Sequence, residues 1–205
     1  MKQLLTLLPV LLLIGCTTSP PHPHSGISPE QSWQLRQQQL QGLNRWQIAG
    51  RLAVIKGHEA WHMSLEWQQL AETYAIHITA PLGQGAMRLE GDTQSVTLQT
   101  DEGESITAQN PDWLLYQQLG WQVPVSALRY WVLGLPAPGE HTETLDDYGR
   151  LSHLQQAGWE IEFIDYQPEL GVELPRKVFV SNHQAKVKLV ISDWSTLPAT
   201  IEVDS

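Results

Sequence analysis

From Trp46 onward, apolar and polar residues alternate nearly one for one. Trp46, Ile48, Leu52 and Val54 stand against Gln47, Ala49, Arg51 and Ala53, and the pattern resumes after a turn at Lys56, Gly57, His58 and Glu59. Trp61, Met63, Leu65 and Trp67 then oppose His62, Ser64, Glu66 and Gln68, while Tyr74, Ile76 and Ile78 oppose Thr73, Ala75, His77 and Thr79. Side chains two apart on a strand share a face, so this run predicts consecutive hairpins with one face buried and one wet. Shorter strands are predicted at 87–90, 95–100 and 105–108, with turns at Gly91-Asp92 and Asp101-Glu102-Gly103.

The middle of the chain changes period. Asn110, Pro111 and Asp112 offer an N-cap, a first-turn proline and an early acid, and Gly120 a stop; Trp113, Leu114, Leu115 and Leu119 would form the apolar side of that helix. A second helix is predicted over 125–133, ending before Gly134 and Pro136. Strands return at 141–145, 150–154, 159–166, 177–181 and 186–192; Trp159, Ile161 and Phe163 share a face, as do Val187, Leu189 and Ile191. Ahead of them all, Ser28, Pro29 and Glu30 open an amphipathic helix with Trp33, Leu40 and Leu43 near one stripe. The result is a mainly-β domain of about eleven strands.

The N-terminus is of another kind. A basic Lys2 precedes an apolar run from Leu4 to Ile14, which is too short to span a bilayer, since a spanning helix needs about 20 residues. Leu13-Ile14-Gly15-Cys16 resembles the lipobox of bacterial lipoproteins, and Cys16 is the sole cysteine. That predicts cleavage of 1–15, acylation of Cys16, a Pro- and Ser-rich tether over 16–29 and a single domain over 30–205. The tether would reach about 40 Å, at roughly 3.1 Å per extended residue. An acylated Cys16 leaves no thiol for a disulfide or a thiolate metal site. The net charge of −10 argues against a nucleic-acid partner and against electrostatic attachment to anionic lipid, so an anchor would have to be acyl chains.

Three groups of residues, in order, then resemble the LolB family of outer-membrane lipoprotein receptors of Gram-negative bacteria: Trp46-Gln-Ile-Ala-Gly-Arg-Leu-Ala-Val54, Ala80-Pro-Leu-Gly83, and Pro124-Val-Ser-Ala-Leu-Arg-Tyr-Trp-Val-Leu-Gly-Leu-Pro136. Gly149-Arg-Leu151, Gln156-Ala-Gly-Trp159, Leu174-Pro175 and Trp194 continue the likeness. The chain departs from the family pattern by running on past Trp194. The resemblance implies an incomplete, strongly curved antiparallel β-barrel with a helical lid and a hydrophobic cavity, the LolA/LolB-like fold. It also implies three partners: acylated lipoprotein cargo, a periplasmic LolA-like carrier that brings it, and the outer-membrane lipid that receives it. The protein would act as a monomer on the periplasmic face, without cofactor. Three acyl chains hold on the order of 45 methylenes; at about 0.8 kcal/mol each, exposing them to water costs roughly 35 kcal/mol. A protein cavity must replace the bilayer during the crossing.

Under this resemblance Cys16 is the anchor, and Thr17 after it implies sorting to the outer membrane. Leu82, on the Pro-Leu-Gly loop, implies an apolar tip that enters lipid; the same residue would also suit a turn folded onto the core. In-phase strand and lid positions make Trp67, Ile76, Met87, Leu89, Leu98, Leu115, Leu128, Trp131, Trp159 and Phe163 the expected acyl-binding wall, although each also suits ordinary core. Arg129 either steadies the lid, meets a polar headgroup or simply lies in solvent. His58-Glu-Ala-Trp-His62 matches a zinc-protease pattern, but it begins at a turn and runs into a strand. Residues four apart there lie roughly 13 Å apart, too far for one zinc. No catalytic or metal residue is expected. The rival to a carrier is an envelope scaffold whose barrel is filled by its own side chains, with an envelope hydrolase third.

Overall fold

The computed structural model describes residues 26–81, 85–120 and 124–197. Its elements are α1 (Pro29–Gln41), β1 (Arg45–Lys56), β2 (Glu59–Leu70), β3 (Thr73–Thr79), β4 (Ala86–Gly91), β5 (Val96–Thr100), β6 (Ser105–Ala108), α2 (Pro111–Leu119), α3 (Val125–Trp131), β7 (His141–Leu145), β8 (Leu151–Gln156), β9 (Trp159–Glu169), β10 (Val172–Ser181) and β11 (Ala185–Thr196). All eleven strands form one antiparallel, open, curled sheet in the order β6-β5-β4-β3-β2-β1-β11-β10-β9-β8-β7. Two meanders, β1 to β6 and β7 to β11, are therefore joined in the middle by the pairing of β1 with β11.

That seam carries a bulge. Ala49 pairs with Asp193 but Gly50 pairs with Ile191, so Ser192 is the extra residue on β11, and its Oγ donates to the Ala49 carbonyl at 3.0 Å. A Cβ at Gly50 would drive into the Val190 carbonyl oxygen, so the strands can approach this closely only with glycine there. A bulge sharpens local twist and lets a sheet curl. It also shifts the phase of β11, turning Trp194 back inward, where its ring meets Trp46 edge-on at 5.6 Å; Trp67 lies 5.2 Å from Trp46 on the other side.

The predicted elements are present with shifted ends. β11 runs past 192 because the bulge interrupts its alternation without ending its pairing. β10 begins at Val172, although Pro175 argues against a strand. The pairing of β10 with β11 extends only from Lys177 to Ser181, so the proline's missing N–H leaves no ladder bond unmade with β11. The second inserted helix is shorter than expected, ending at Trp131.

α1 is closed at its start by a capping box: the Gln31 N–H donates to Ser28 Oγ, and the Ser28 N–H to Gln31 Oε1. It buries Trp33, Arg36 and Leu40. Its first turn rests on the β7–β8 turn, where Gly149, at φ +72°, leaves room for the Pro29 carbonyl and the Trp33 N–H.

Candidate functional site

The concave face of the sheet and the two inserted helices enclose an apolar cavity. Leu52 and Val54 of β1, Leu65 and Trp67 of β2, Ile76 and Ile78 of β3, and Met87 and Leu89 of β4 form one wall. Val178 and Val180 of β10 with Val187 and Leu189 of β11 form the other, and Leu115 of α2 with Val125, Leu128 and Val132 of or beside α3 form the cover. No lining residue is polar or charged. As it stands the cavity holds about 70 Å³. A water's share of liquid volume is about 30 Å³ and a dry engineered cavity of about 150 Å³ admits benzene, so a fatty chain needs the cover to move.

Of the ten positions expected from sequence, Trp67, Ile76, Met87, Leu89, Leu115 and Leu128 line this cavity. Leu98, Trp131, Trp159 and Phe163 do not; all four are buried, but elsewhere in the core. Leu98 sits on β5, one strand beyond Leu89, and Phe163 on β9, one strand beyond Val178. Trp131 is taken up by a buried polar clamp, its Nε1 donating to Gln156 Oε1 at 2.9 Å while Gln156 also bonds both the N–H and the carbonyl of Ala137. Trp113, expected on the buried side of its helix, is exposed; α2 turns Leu114 and Leu115 inward instead. The other lining residues on strands share the same inward phase, and Val125 and Val132 belong to α3 and its C-cap; phase flags buried positions but not which of them face the void.

The cover is fastened at its rim by bonds near solvent. Arg129 of α3 donates to Glu72 Oε2 at 2.7 Å, tying the helix to the β2–β3 turn, and to the Tyr130 hydroxyl at 2.8 Å. Partial burial pulls the Arg129 guanidinium pKa down, but those two bonds outweigh it and hold the value above the ordinary one. Of the three roles open for Arg129, its geometry is that of a lid fastener. Ser126 Oγ donates to Asp112 Oδ2 at 2.7 Å, joining α3 to α2, and Lys56 Nζ donates to the Gly120 carbonyl at 3.2 Å.

Burial, with Asp112 and Asp92 nearby, pushes the Tyr74 hydroxyl up to about 12, so it stays protonated at neutral pH. Burial likewise raises Tyr166, whose hydroxyl donates to the Leu151 carbonyl at 2.7 Å. His62 lies on β2, and among the described residues no three His, Cys, Asp or Glu are placed to hold a metal. Also among the described residues, no helix is long and apolar enough to cross a membrane.

Cys16 and Leu82 lie outside the described residues. The stem of the Leu82 loop is described: the Ala80 N–H donates to the Gly85 carbonyl at 2.8 Å, and the first strand pairs below it are Thr79 with Ala86 and Ile78 with Met87. Ile78 and Met87 both line the cavity, so the loop springs directly from its wall.

Comparison with known proteins adds to this geometry. The family model described as "Outer membrane lipoprotein LolB" matches residues 44–194. An outer-membrane lipoprotein LolB from Nitrosococcus oceani is 40% identical over 190 residues, 92% of this chain and 94% of that protein. One from Alkalilimnicola ehrlichii is 40% identical over 199 residues, 96% and 98% of the two chains. In fold the chain is similar to the crystal structure of a LolA superfamily protein from Nitrosomonas europaea, with a TM-score of 0.56 at 10% identity, over 85% of this chain and 96% of that one. A curled sheet lined with hydrocarbon, the match over 44–194 and two near-full-length relatives agree that this chain belongs to the LolB family of outer-membrane lipoproteins.

Proposed function

We propose that the protein is an outer-membrane lipoprotein receptor: anchored through acylated Cys16 on the periplasmic face, it accepts acylated lipoproteins from a LolA-like carrier and inserts them into the outer membrane. It acts as a monomer and without catalysis. The observation that carries this reading is the cavity, whose sixteen lining residues are all apolar and whose cover, clamped inside only at Trp131 at the end of α3, is otherwise tied at the rim. The ten residues named from sequence then divide in role. The six that line the cavity meet the acyl chains, and Leu98, Trp131, Trp159 and Phe163 hold the shape of the wall.

The small closed volume favours the rival reading, a barrel packed by its own side chains, so the energetics of opening decide between them. The three fasteners are near the surface, and such bonds contribute about 0–1 kcal/mol each. The stronger seal is the burial of Leu115, Val125, Leu128 and Val132, at about 1.5–3 kcal/mol per side chain if each became fully exposed. Opening onto water is therefore costly, while opening onto hydrocarbon is not, because the incoming chain covers both surfaces again. Transfer then runs downhill in affinity from carrier to receptor to bilayer.

A labelled lipoprotein loaded on its soluble carrier and mixed with this protein should move to it and then to liposomes. Leu82→Glu should fold and accept cargo but deliver at least tenfold more slowly. No uptake of cargo by the wild type would leave the scaffold reading in place. Normal delivery by Leu82→Glu would remove the loop from the mechanism.

A further inference from the structure

On the outer face of the sheet, behind the cavity, charge is sorted. The register places the outward positions of β1, β11 and β10 in three rows: Arg51, Val190 and Lys177; Ala53, Lys188 and Phe179; Ile55, Lys186 and Ser181. Four of these nine are cations and none is an acid, in a chain whose Asp and Glu outnumber Lys and Arg by 22 to 12. Arg51, Lys186 and Lys188 are exposed. Lys188 Nζ lies 5.4 Å from the centre of the Phe179 ring, and Lys177 is paired with Asp165 at 3.1 Å. Among the described residues no carboxylate stands within ion-pair distance of the other three. Acids border the rows without entering them: Asp193 of β11 and Glu66 of β2 both pair with Ala49, one row before Arg51, and Glu160 and Glu162 lie one strand further out on β9, where Glu160 is engaged by His153.

We propose that this face binds anionic phospholipid headgroups and sets the orientation of the body on the bilayer. Cations on long apolar stems, interleaved with Phe179, Val190 and Ile55, suit a surface that is anionic at the top and apolar beneath. The overall charge of −10 does not oppose this. At physiological ionic strength the Debye length is about 8 Å, so a surface in contact feels the patch that faces it and little of the acids on the far side. Net charge read from composition averages over faces and so does not register such a patch. Position favours lipid over an acidic protein. Consecutive strands are antiparallel, so the β1–β2 and β10–β11 turns flanking the patch lie at the same end of the sheet as the Leu82 loop. That continuity rests on the membrane-anchored reading above, whereas the charge sorting stands without it.

The test is vesicle flotation of the mature chain carrying Cys16→Ala, so that no acyl chain contributes and no cargo is needed. Failure of cargo transfer would therefore leave this measurement untouched. Vesicles of phosphatidylglycerol in phosphatidylcholine should retain the protein at least tenfold better than phosphatidylcholine alone, and 0.5 M salt should abolish the difference. Each cation near an anionic surface contributes roughly fivefold to partition. Arg51→Gln, Lys186→Gln and Lys188→Gln together should thus bring binding down to the neutral-vesicle level, with an unchanged melting curve. Lys186→Arg with Lys188→Arg should bind as the parent does. Equal partition to both vesicles overturns the proposal. So does a triple variant that binds vesicles normally, and most directly one that instead loses a protein partner.

Discussion

The two sides of this sheet hold their helices by different means. On the side of β7 to β10, α1 is bound through a part-buried polar network. Trp33 Nε1 donates to Glu143 Oε1 at 2.8 Å, Arg36 donates to the Glu173 carbonyl, and Arg150 joins Asp146 and Glu173 at 2.7 and 3.0 Å. The Arg36 and Arg150 guanidiniums lie 5.1 and 4.8 Å from the centre of the Tyr166 ring. On the side of β1 to β4, α2 and α3 meet the sheet through hydrocarbon and are tied at the rim; the one buried polar bond described for them, from Trp131 to Gln156, lies at the end of α3 and reaches β8. A buried hydrogen-bond network has few alternative arrangements, because each broken bond leaves a desolvated polar group. A hydrocarbon contact accepts any other hydrocarbon in its place. The first side is a buttress; the second can exchange one partner for another.

Three substitutions probe that contrast, the largest effect first. Trp33→Ala should cost about 3–5 kcal/mol, read from the denaturant midpoint, because it empties a buried indole site and unpairs Glu143. Gln156→Leu leaves the Trp131 indole N–H and both Ala137 backbone groups without their partner, and should cost about 1–3 kcal/mol on the same measurement. Arg129→Gln should cost under about 1 kcal/mol, since its ion pair with Glu72 is near the surface. It should nevertheless speed uptake of a fluorescent fatty-acyl probe severalfold, while Trp33→Ala, assayed well below its melting point, should not. If Arg129→Gln destabilised as much as Trp33→Ala, or left uptake unchanged, the contrast between buttress and lid would collapse.

Strand phase was legible from alternation alone, since a one-residue slip would turn every buried side chain to solvent. Where alternation is broken on purpose, legibility ended: the Ser192 bulge hid the last turnings of β11, and Pro175 masked the start of β10. The site was legible in the same partial way. Inward phase marks Trp67, Ile76, Met87 and Leu89, and equally Leu98 and Phe163; only the position of the two helices decides which of them border empty space. Arg36 escaped notice because a cation is not expected inside, and its burial depends on Glu173 and Tyr166, far along the chain. The outer cationic rows are invisible for a related reason. Arg51 becomes a neighbour of Lys188 and Lys177 only once β1 lies beside β11.

The seam between β1 and β11 has a consequence for how the molecule comes into being. An early strand whose lasting partner is nearly the last to be made, paired along its length from Trp46 to Lys56, must wait for it. Long-range pairings of this kind are slow to form, because a large loop must close before any contact rewards it. The chain thus remains an unfinished ribbon until the late strand is available, and the chamber comes into existence only when β11 closes the sheet onto β1.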